Sequence, residues 1–274
     1  MIDGEKIGVG IITCDRPLLL EKCYNSVAKC PFIDEGIIVN DGKCLDQITP
    51  QTDMEIPDWW GWHETDGYTG VGKSKNHALR YLMETGCDHV FLIENDIFIK
   101  DISVFEKYID ASKASGIQHF NFSQHGNANK IPMDFIDPNV RMIVDYKTCR
   151  VSLYYHCVGA FSYYSKKCLD TVGLMDERYY NACEHVDHTY QIIKAGMHPP
   201  FWAFADIEES WKYLGDDGWS IETSTISSNP NHQQMMQDAD KIFVSKHGCV
   251  PMKVPIIHND SMGSYLKEIK NKWT

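Results

Sequence analysis

The chain has no apolar run of the 18 or more residues that a membrane span requires, and no signal-type apolar segment precedes the first strand-like residues at Ile7. Both absences predict a cytoplasmic protein with no membrane span. Basic residues are in deficit. The 26 Lys and Arg stand against 38 Asp and Glu, a formal net charge of −12, whereas a general nucleic-acid binder needs a cationic surface to displace phosphate counterions. None of the ten cysteines belongs to a Cys-x-x-Cys pair, and they are scattered through a large chain, so reduced structural thiols are expected rather than a secreted disulfide scaffold. Internal repeats, linkers and low-complexity tracts are absent as well. At 274 residues and 43% hydrophobic content the chain is large enough for a normal soluble core.

What is present is an alternation of strand and helix signals. Residues 6–13 form a β-branched run, and Pro17 opens a segment in which Leu18, Leu19, Cys23 and Val27 recur at helical spacing. Residues 36–39 give a second strand that stops at Asn40-Asp41-Gly42, a turn signal. A helix over 74–85, a strand over 89–93, a helix over 103–115 and a strand over 117–122 follow. This order predicts an α/β fold with a doubly wound, mostly parallel sheet, whose ligand lies at the carboxyl ends of the strands. Thr13, Asp41, Glu94 and Asp96 fall at such ends. In the second half, 141–146 and 150–155 read as a strand pair, 159–165 as another strand and 184–195 as a helix. After Asp206 periodicity is weak until Ile242, which predicts loops lining a pocket.

Three groups of residues carry chemistry. In Val90-Phe-Leu-Ile-Glu94-Asn95-Asp96 a buried apolar run stops at two carboxylates. Residues i and i+2 of an extended segment share a side, so Glu94 and Asp96 are placed to face one point, where a divalent metal holding a phosphate would relieve their repulsion. The competing reading is a solvated acidic turn. Gly67-Tyr-Thr-Gly-Val-Gly-Lys-Ser74 satisfies the P-loop pattern and offers an alternative function, a P-loop NTPase or kinase using Lys73. Against it, residues 57–66 lack the period and polarity of the interior strand that must precede a phosphate cradle. On the helix of Glu184-His185-Val-Asp187-His188, Glu184 and Asp187 share a face and suit a general base acting on a hydroxyl. His258 follows a short apolar run and alone reads as structural. Trp59, Trp60, Trp62, Trp202, Trp211 and Trp219 suit either core packing or stacking against sugar and base faces.

In this order the pieces resemble a glycosyltransferase of the GT-A fold, most similar to the family 2 nucleotide-sugar transferases, over residues 6–200 with an echo at 254–264. Residues 7–17 resemble the family's first strand and its Thr-x-x-Arg-Pro turn, which puts Thr13 and Arg16 near the nucleotide. Asn40-Asp41-Gly42 resembles the Asp-Asp-Gly of the second strand, whose acidic residue contacts the base. Gly72-Lys73-Ser74-Lys75-Asn76 resembles the Gly-x-x-x-Ala-Arg-Asn helix start, one residue shorter and with Lys75 in the Arg place. Glu94-Asn95-Asp96 resembles the DxD metal motif in a Glu-x-Asp form. Residues 184–196 resemble Glu-Asp-x-Asp-x-x-x-Arg-x-x-x-x-Gly, with His185 where the second acidic residue usually stands, so the base is left open among Glu184, His185 and Asp187.

The resemblance implies a single GT-A domain over 1–274, with a nucleotide-sugar half over 1–125 and an acceptor half over 126–274 that carries a smaller mixed sheet. It also implies Mn²⁺ or Mg²⁺ held by Asp96 and by His258 as a late histidine ligand. Glu94 and Asn95 would position the donor, a UDP-sugar or similar, and transfer to a hydroxyl would invert the anomeric centre. The acceptor stays open among saccharide, protein, lipid head group, metabolite and modified nucleic-acid base. A second alternative keeps the fold without the base, as a non-catalytic nucleotide-sugar-binding module.

Overall fold

The computed structural model describes residues 1–42, 54–133, 136–216, 224 and 227–274. Its first half runs β1 (Ile7–Thr13), α1 (Pro17–Val27), β2 (Glu35–Asn40), β3 (Trp60–Glu64), α2 (Val71–Glu84), β4 (His89–Glu94), β5 (Ile97–Ile99), α3 (Val104–Ser115) and β6 (His119–Asn121). The second half adds β7 (Met142–Asp145), β8 (Arg150–Tyr154), β9 (Phe161–Ser165), α4 (Lys166–Val172), α5 (Glu184–Lys194), β10 (Phe204–Ile207), β11 (Leu214–Asp216), α6 (His232–His247) and α7 (Asn259–Trp273).

The main sheet has the order β3-β2-β1-β4-β9-β6. Its first four strands are parallel, and β9 inserts antiparallel between β4 and β6. The chain runs outward from β1 through β2 to β3, then crosses back to β4 on the other flank of β1. The strand order reverses there, which opens a crevice at the carboxyl ends of β1 and β4. Two small antiparallel sheets, β10-β8-β7 and β11-β5, complete the α/β architecture.

The composition of β1, Ile-Gly-Val-Gly-Ile-Ile-Thr, explains how the layers fit. Ile7, Val9 and Ile11 enter the larger core with Leu20 and Val27 of α1 and Phe105 and Ile109 of α3. On the other face a Cβ at Gly8 would stand 2.6 Å from Cys87 Sγ, and one at Gly10 would stand 2.7 Å from Ala78 Cβ of α2. Glycine at alternate positions therefore lets α2 lie close on the strand, and Ala78, Leu79 and Leu82 fill the second core with Val90 and Leu92 of β4.

Three expectations need correction. Residues 60–64 form a strand, but an edge strand: Trp60 is buried and the other four are half-buried. A strand with one neighbour needs no alternating pattern, so none was legible. Helix α2 begins at Val71, three residues earlier than expected. The stretch after Asp206 is not loop as far as Ile242, because α6 spans His232–His247. Only Ala239 and Phe243 of α6 are buried, too thin a stripe to show as periodicity.

Candidate functional site

The crevice is built first by polar residues that tie strand ends together. Asn95 Nδ2 donates to Thr13 Oγ1 at 2.6 Å, and Asn95 Oδ1 accepts from Arg16, the residue that precedes α1. Arg16 Nη1 donates to Asp96 Oδ2 at 3.2 Å. The other carboxylate oxygen, Asp96 Oδ1, is buried and has no hydrogen-bond partner among the described residues, and the same holds for Arg16 Nε. The chain turns after Glu94, and each carboxylate has its own side-chain partner, Lys75 for Glu94 and Arg16 for Asp96, while both line one cavity.

Glu94's partner is Lys75, the centre of a buried ionic group. Lys75 Nζ lies 2.8 Å from Glu94 Oε1 and 3.1 Å from Glu184 Oε1, and donates to the Gly159 carbonyl at 3.0 Å. Burial works to neutralise this lysine, but Glu94 and Glu184 outweigh it and hold its pKa above the ordinary value. Burial likewise raises the pKa of Glu184, yet Lys75 and then His185 prevail and hold it well below the usual carboxylate range. Glu184 Oε1 also meets His185 Nδ1 at 3.0 Å. Lys75 thus joins the end of β4 to the start of α5.

The candidates on α5 separate. His185 is partly exposed and Glu184 nearly buried, and both line a cavity of about 430 Å³. Asp187 does not line it. Fully buried, it accepts from His247 Nε2 at 2.7 Å, Lys246 Nζ at 2.5 Å, Gln191 Nε2 at 2.8 Å and Tyr179 at 3.2 Å, so its lone pairs anchor the end of α6. Gly159 faces His185. A Cβ there would stand 2.6 Å from the imidazole Cγ and 3.0 Å from its Cβ, atoms too close to the helix backbone to swing aside. We expect Gly159→Ala to displace the ring and lower stability by about 1–3 kcal/mol in urea unfolding. An unchanged midpoint would show that α5 yields freely.

The P-loop candidate has different local chemistry. Asp41 places its carboxylate inside the β3–α2 turn: Oδ1 accepts from Thr69 N at 2.6 Å and from the Thr65 and Thr69 hydroxyls, and Oδ2 accepts from Gly70 N at 2.8 Å. Val71 N donates to Asn181 Oδ1 at 2.9 Å. The amides a phosphate would need are committed, two of them to an anion. Lys73 is exposed. Gly72 packs α2 against Tyr179 and Glu184. Asn76 is buried and holds Met175 and Glu177, while the Asn40 carbonyl accepts from Thr65 N.

A second cavity, about 480 Å³, lies over the carboxyl ends of β1 and β2, lined by Thr13, Asp15, Arg16, Asp41, Tyr68 and Tyr180 among others. The two cavities share Arg16, Glu94 and Asn181 and so form one continuous crevice. Asp15, Tyr68, Tyr180 and Asn181 carried no sequence signal as site residues; Asp15 sits at φ +49° and accepts from the Tyr68 hydroxyl, a juxtaposition of residues 53 apart. The structure places two candidate groups away from the crevice. His258 caps α7 with its side chain 80% exposed and lines neither cavity. Of the tryptophans, the described ones line neither cavity, and Trp219 lies outside the described residues.

No family model and no curated protein matches the sequence. Solved structures do match. TarS residues 1–349 from S. aureus in complex with UDP is 13% identical, with a TM-score of 0.53 over 97% of this chain and 71% of that one. The mannosyltransferase PcManGT from Pyrobaculum calidifontis, in complex with GDP-Man and Mn²⁺, is 11% identical, with a TM-score of 0.55 over 97% and 69%. GalNAc-T7 with UDP, GalNAc and Mn²⁺ gives 11% and 0.54 over 98% and 55%. The chain has the GT-A fold.

Proposed function

We propose that the chain is a glycosyltransferase that moves a sugar from a nucleotide-sugar donor, a UDP-sugar, to an acceptor hydroxyl with inversion, assisted by Mn²⁺ or Mg²⁺. The observation that carries this reading is the continuous crevice, which has Arg16 and Glu94 at its waist, Asp96 beside them and the Glu184–His185 pair on its far wall. In this reading the 1–125 half supplies most of the donor floor, and 126–274 supplies the acceptor wall.

The donor set suits a hard divalent ion. Magnesium and manganese take carboxylate and phosphate oxygens, often one or two carboxylates with the rest from substrate and water. The buried, unpartnered Asp96 Oδ1 is such an oxygen, and among the described residues no group of three or more His, Cys, Asp and Glu is placed to cage an ion without substrate. When bound, the ion supplies Lewis-acid stabilisation of the departing diphosphate. His258 stays outside this assignment.

Arg16 and Thr13 hold Asn95 and Asp96 in place beneath the diphosphate, and Tyr68 and Tyr180 offer ring faces at the nucleotide end. His185 Nε2 takes the acceptor proton as the acceptor oxygen bonds to the anomeric carbon and the bond to the diphosphate oxygen breaks on the opposite face. One displacement inverts the centre. Glu184 keeps Nδ1–H in place, which leaves Nε2 as the basic nitrogen.

A thermal-shift titration of UDP with and without Mn²⁺ tests the donor side. Saturation at about 100 times Kd stabilises by about 2.7 kcal/mol. We expect Mn²⁺-dependent stabilisation that Asp96→Asn abolishes and Lys73→Ala leaves intact. Stabilisation by ATP that requires Lys73 would instead establish the P-loop enzyme. Donor binding with neither transfer nor donor hydrolysis would leave a binding module.

A further inference from the structure

The crevice contains a second carboxylate–imidazole pair. His125, which follows β6, lines the same cavity as His185, and its Nδ1 lies 3.6 Å from Oδ2 of Asp216, the residue that ends β11. Asp216 Oδ2 also accepts from the Gly126 amide at 3.1 Å, which fixes the carboxylate against the loop that carries the ring. At 3.6 Å the contact is electrostatic rather than a hydrogen bond. It nevertheless favours the tautomer with the proton on Nδ1. That Nδ1 is buried without a hydrogen-bond partner among the described residues, so Nε2 is the ring nitrogen left to the cavity, as an acceptor.

The cavity wall carries three imidazoles, and two of them, His125 and His185, are backed by a carboxylate at Nδ1; the carboxylates of Glu94 and Asp96 line it as well. Among the described residues Arg16 is the one cation on this wall, and it is paired with Asp96 at 3.2 Å. Ser224, Ser227, His232 and Met236, which complete this edge of the cavity, bring no Lys or Arg to it. Glu94 and Glu184 are paired with the buried Lys75 and Asp96 with Arg16, so among the described side chains no cation is left to pair with a phosphate or carboxylate on the incoming molecule.

Resting on the transferase reading, we propose that His125 is an acceptor-positioning residue and that the cavity takes a neutral, hydroxyl-rich acceptor, a saccharide, in preference to a phosphorylated one. Two Nε2 acceptors call for at least two hydroxyl donors on one molecule. One hydroxyl gives its proton to His185 as it reacts, and a neighbouring hydroxyl donates to His125 and sets which one is presented. A Ser or Thr side chain carries a single hydroxyl, one donor for two acceptors.

The test is saturation-transfer NMR on the full chain saturated with UDP and Mn²⁺. The probes are glucose, galactose, N-acetylglucosamine and lactose against glucose 6-phosphate, glucuronic acid, a Ser/Thr peptide and a single-stranded DNA oligonucleotide. We expect at least one neutral sugar to bind about tenfold or more tighter than the charged probes. His125→Leu should weaken that sugar about fivefold to tenfold, the size of one hydrogen bond, and His125→Gln, whose carbonyl reaches the Nε2 position, should recover most of it. In both variants UDP-dependent stabilisation should match the parent. Equal or tighter binding of the phosphorylated sugar, the DNA or the peptide, or a Leu variant that binds the sugar normally, overturns the inference while leaving the donor reading standing. Failure of UDP and other nucleoside diphosphates to stabilise the parent chain overturns both.

Discussion

Replacing Lys75 with Met is expected to lower stability by about 3–5 kcal/mol, the usual result of removing one partner from a buried ion pair, or on the order of 10 °C in the unfolding midpoint. The reason is what stays behind. Lys75 is 1% exposed, lies 2.8 Å from Glu94 and 3.1 Å from Glu184, and joins them to the Gly159 carbonyl. Without it Glu184 remains buried with His185 Nδ1, at 3.0 Å, as its hydrogen-bond partner.

The pH dependence should change sign. In the parent, Glu184 titrates below its ordinary 4.5, so its contribution is present above that value and is lost as pH falls through the folded-state pKa. Lys75 titrates above its ordinary 10.5, so its contribution is complete below that value and lost only at higher pH. The parent should therefore lose stability on acidification below about pH 4.5. In Lys75→Met the burial that Lys75 had opposed dominates and raises the Glu184 pKa, so this variant should gain stability relative to the parent as pH falls. Urea melts at pH 7 and pH 4.5 measure both slopes. Parallel slopes would show that Glu184 is not governed by Lys75, and adding Glu184→Gln to the Met variant should restore part of the loss at pH 7.

The sequence carried the strand ends well and the partners across the fold poorly. A buried strand that stops at a carboxylate is a local event, so Thr13, Asp41, Glu94 and Asp96 were legible, and so was the sheet they terminate. Residues 94–96 show the limit: spacing alone suggested two carboxylates at one point, but a turn after Glu94 sends one to Lys75 and the other to Arg16. Lys75 itself could be noted in sequence as a cation near a glycine-rich loop and in the Arg place of a helix-start motif, but not as the centre of a buried ionic group. Its role depends on Glu184, 109 positions away, and no local pattern encodes that pairing. The same holds for Asp15 with Tyr68 and for His125 with Asp216, where each partner is ordinary until the fold brings the two together. Helix α6 escaped notice for a different reason: its polar sequence suits a helix but buries almost nothing.

His185→Ala is expected to reduce kcat for sugar transfer by about 10²–10⁴-fold, the usual contribution of a general base, with UDP binding and the unfolding midpoint close to the parent. Its ring is partly exposed, and Glu184 keeps Lys75 when the imidazole is gone. Asp187→Ala should behave in the opposite way. Asp187 is fully buried and holds Lys246 and His247 at 2.5 and 2.7 Å, so its removal leaves the end of α6 without its anchor and should lower stability by about 3–5 kcal/mol. Whatever activity the surviving folded fraction shows should have a normal kcat per active molecule, because no atom of Asp187 lines the crevice. Active-site titration with a tight donor analogue, followed by turnover on the counted sites, separates the two effects. The pH profile adds a second criterion: a base that is an imidazole gives kcat an acid limb, and this limb should vanish in His185→Ala. A parent profile flat from pH 5 to 8, or an Asp187→Ala enzyme that folds normally and turns over 10²-fold more slowly per site, would move the base from His185 to Asp187 and require α6 to swing away from α5 during turnover.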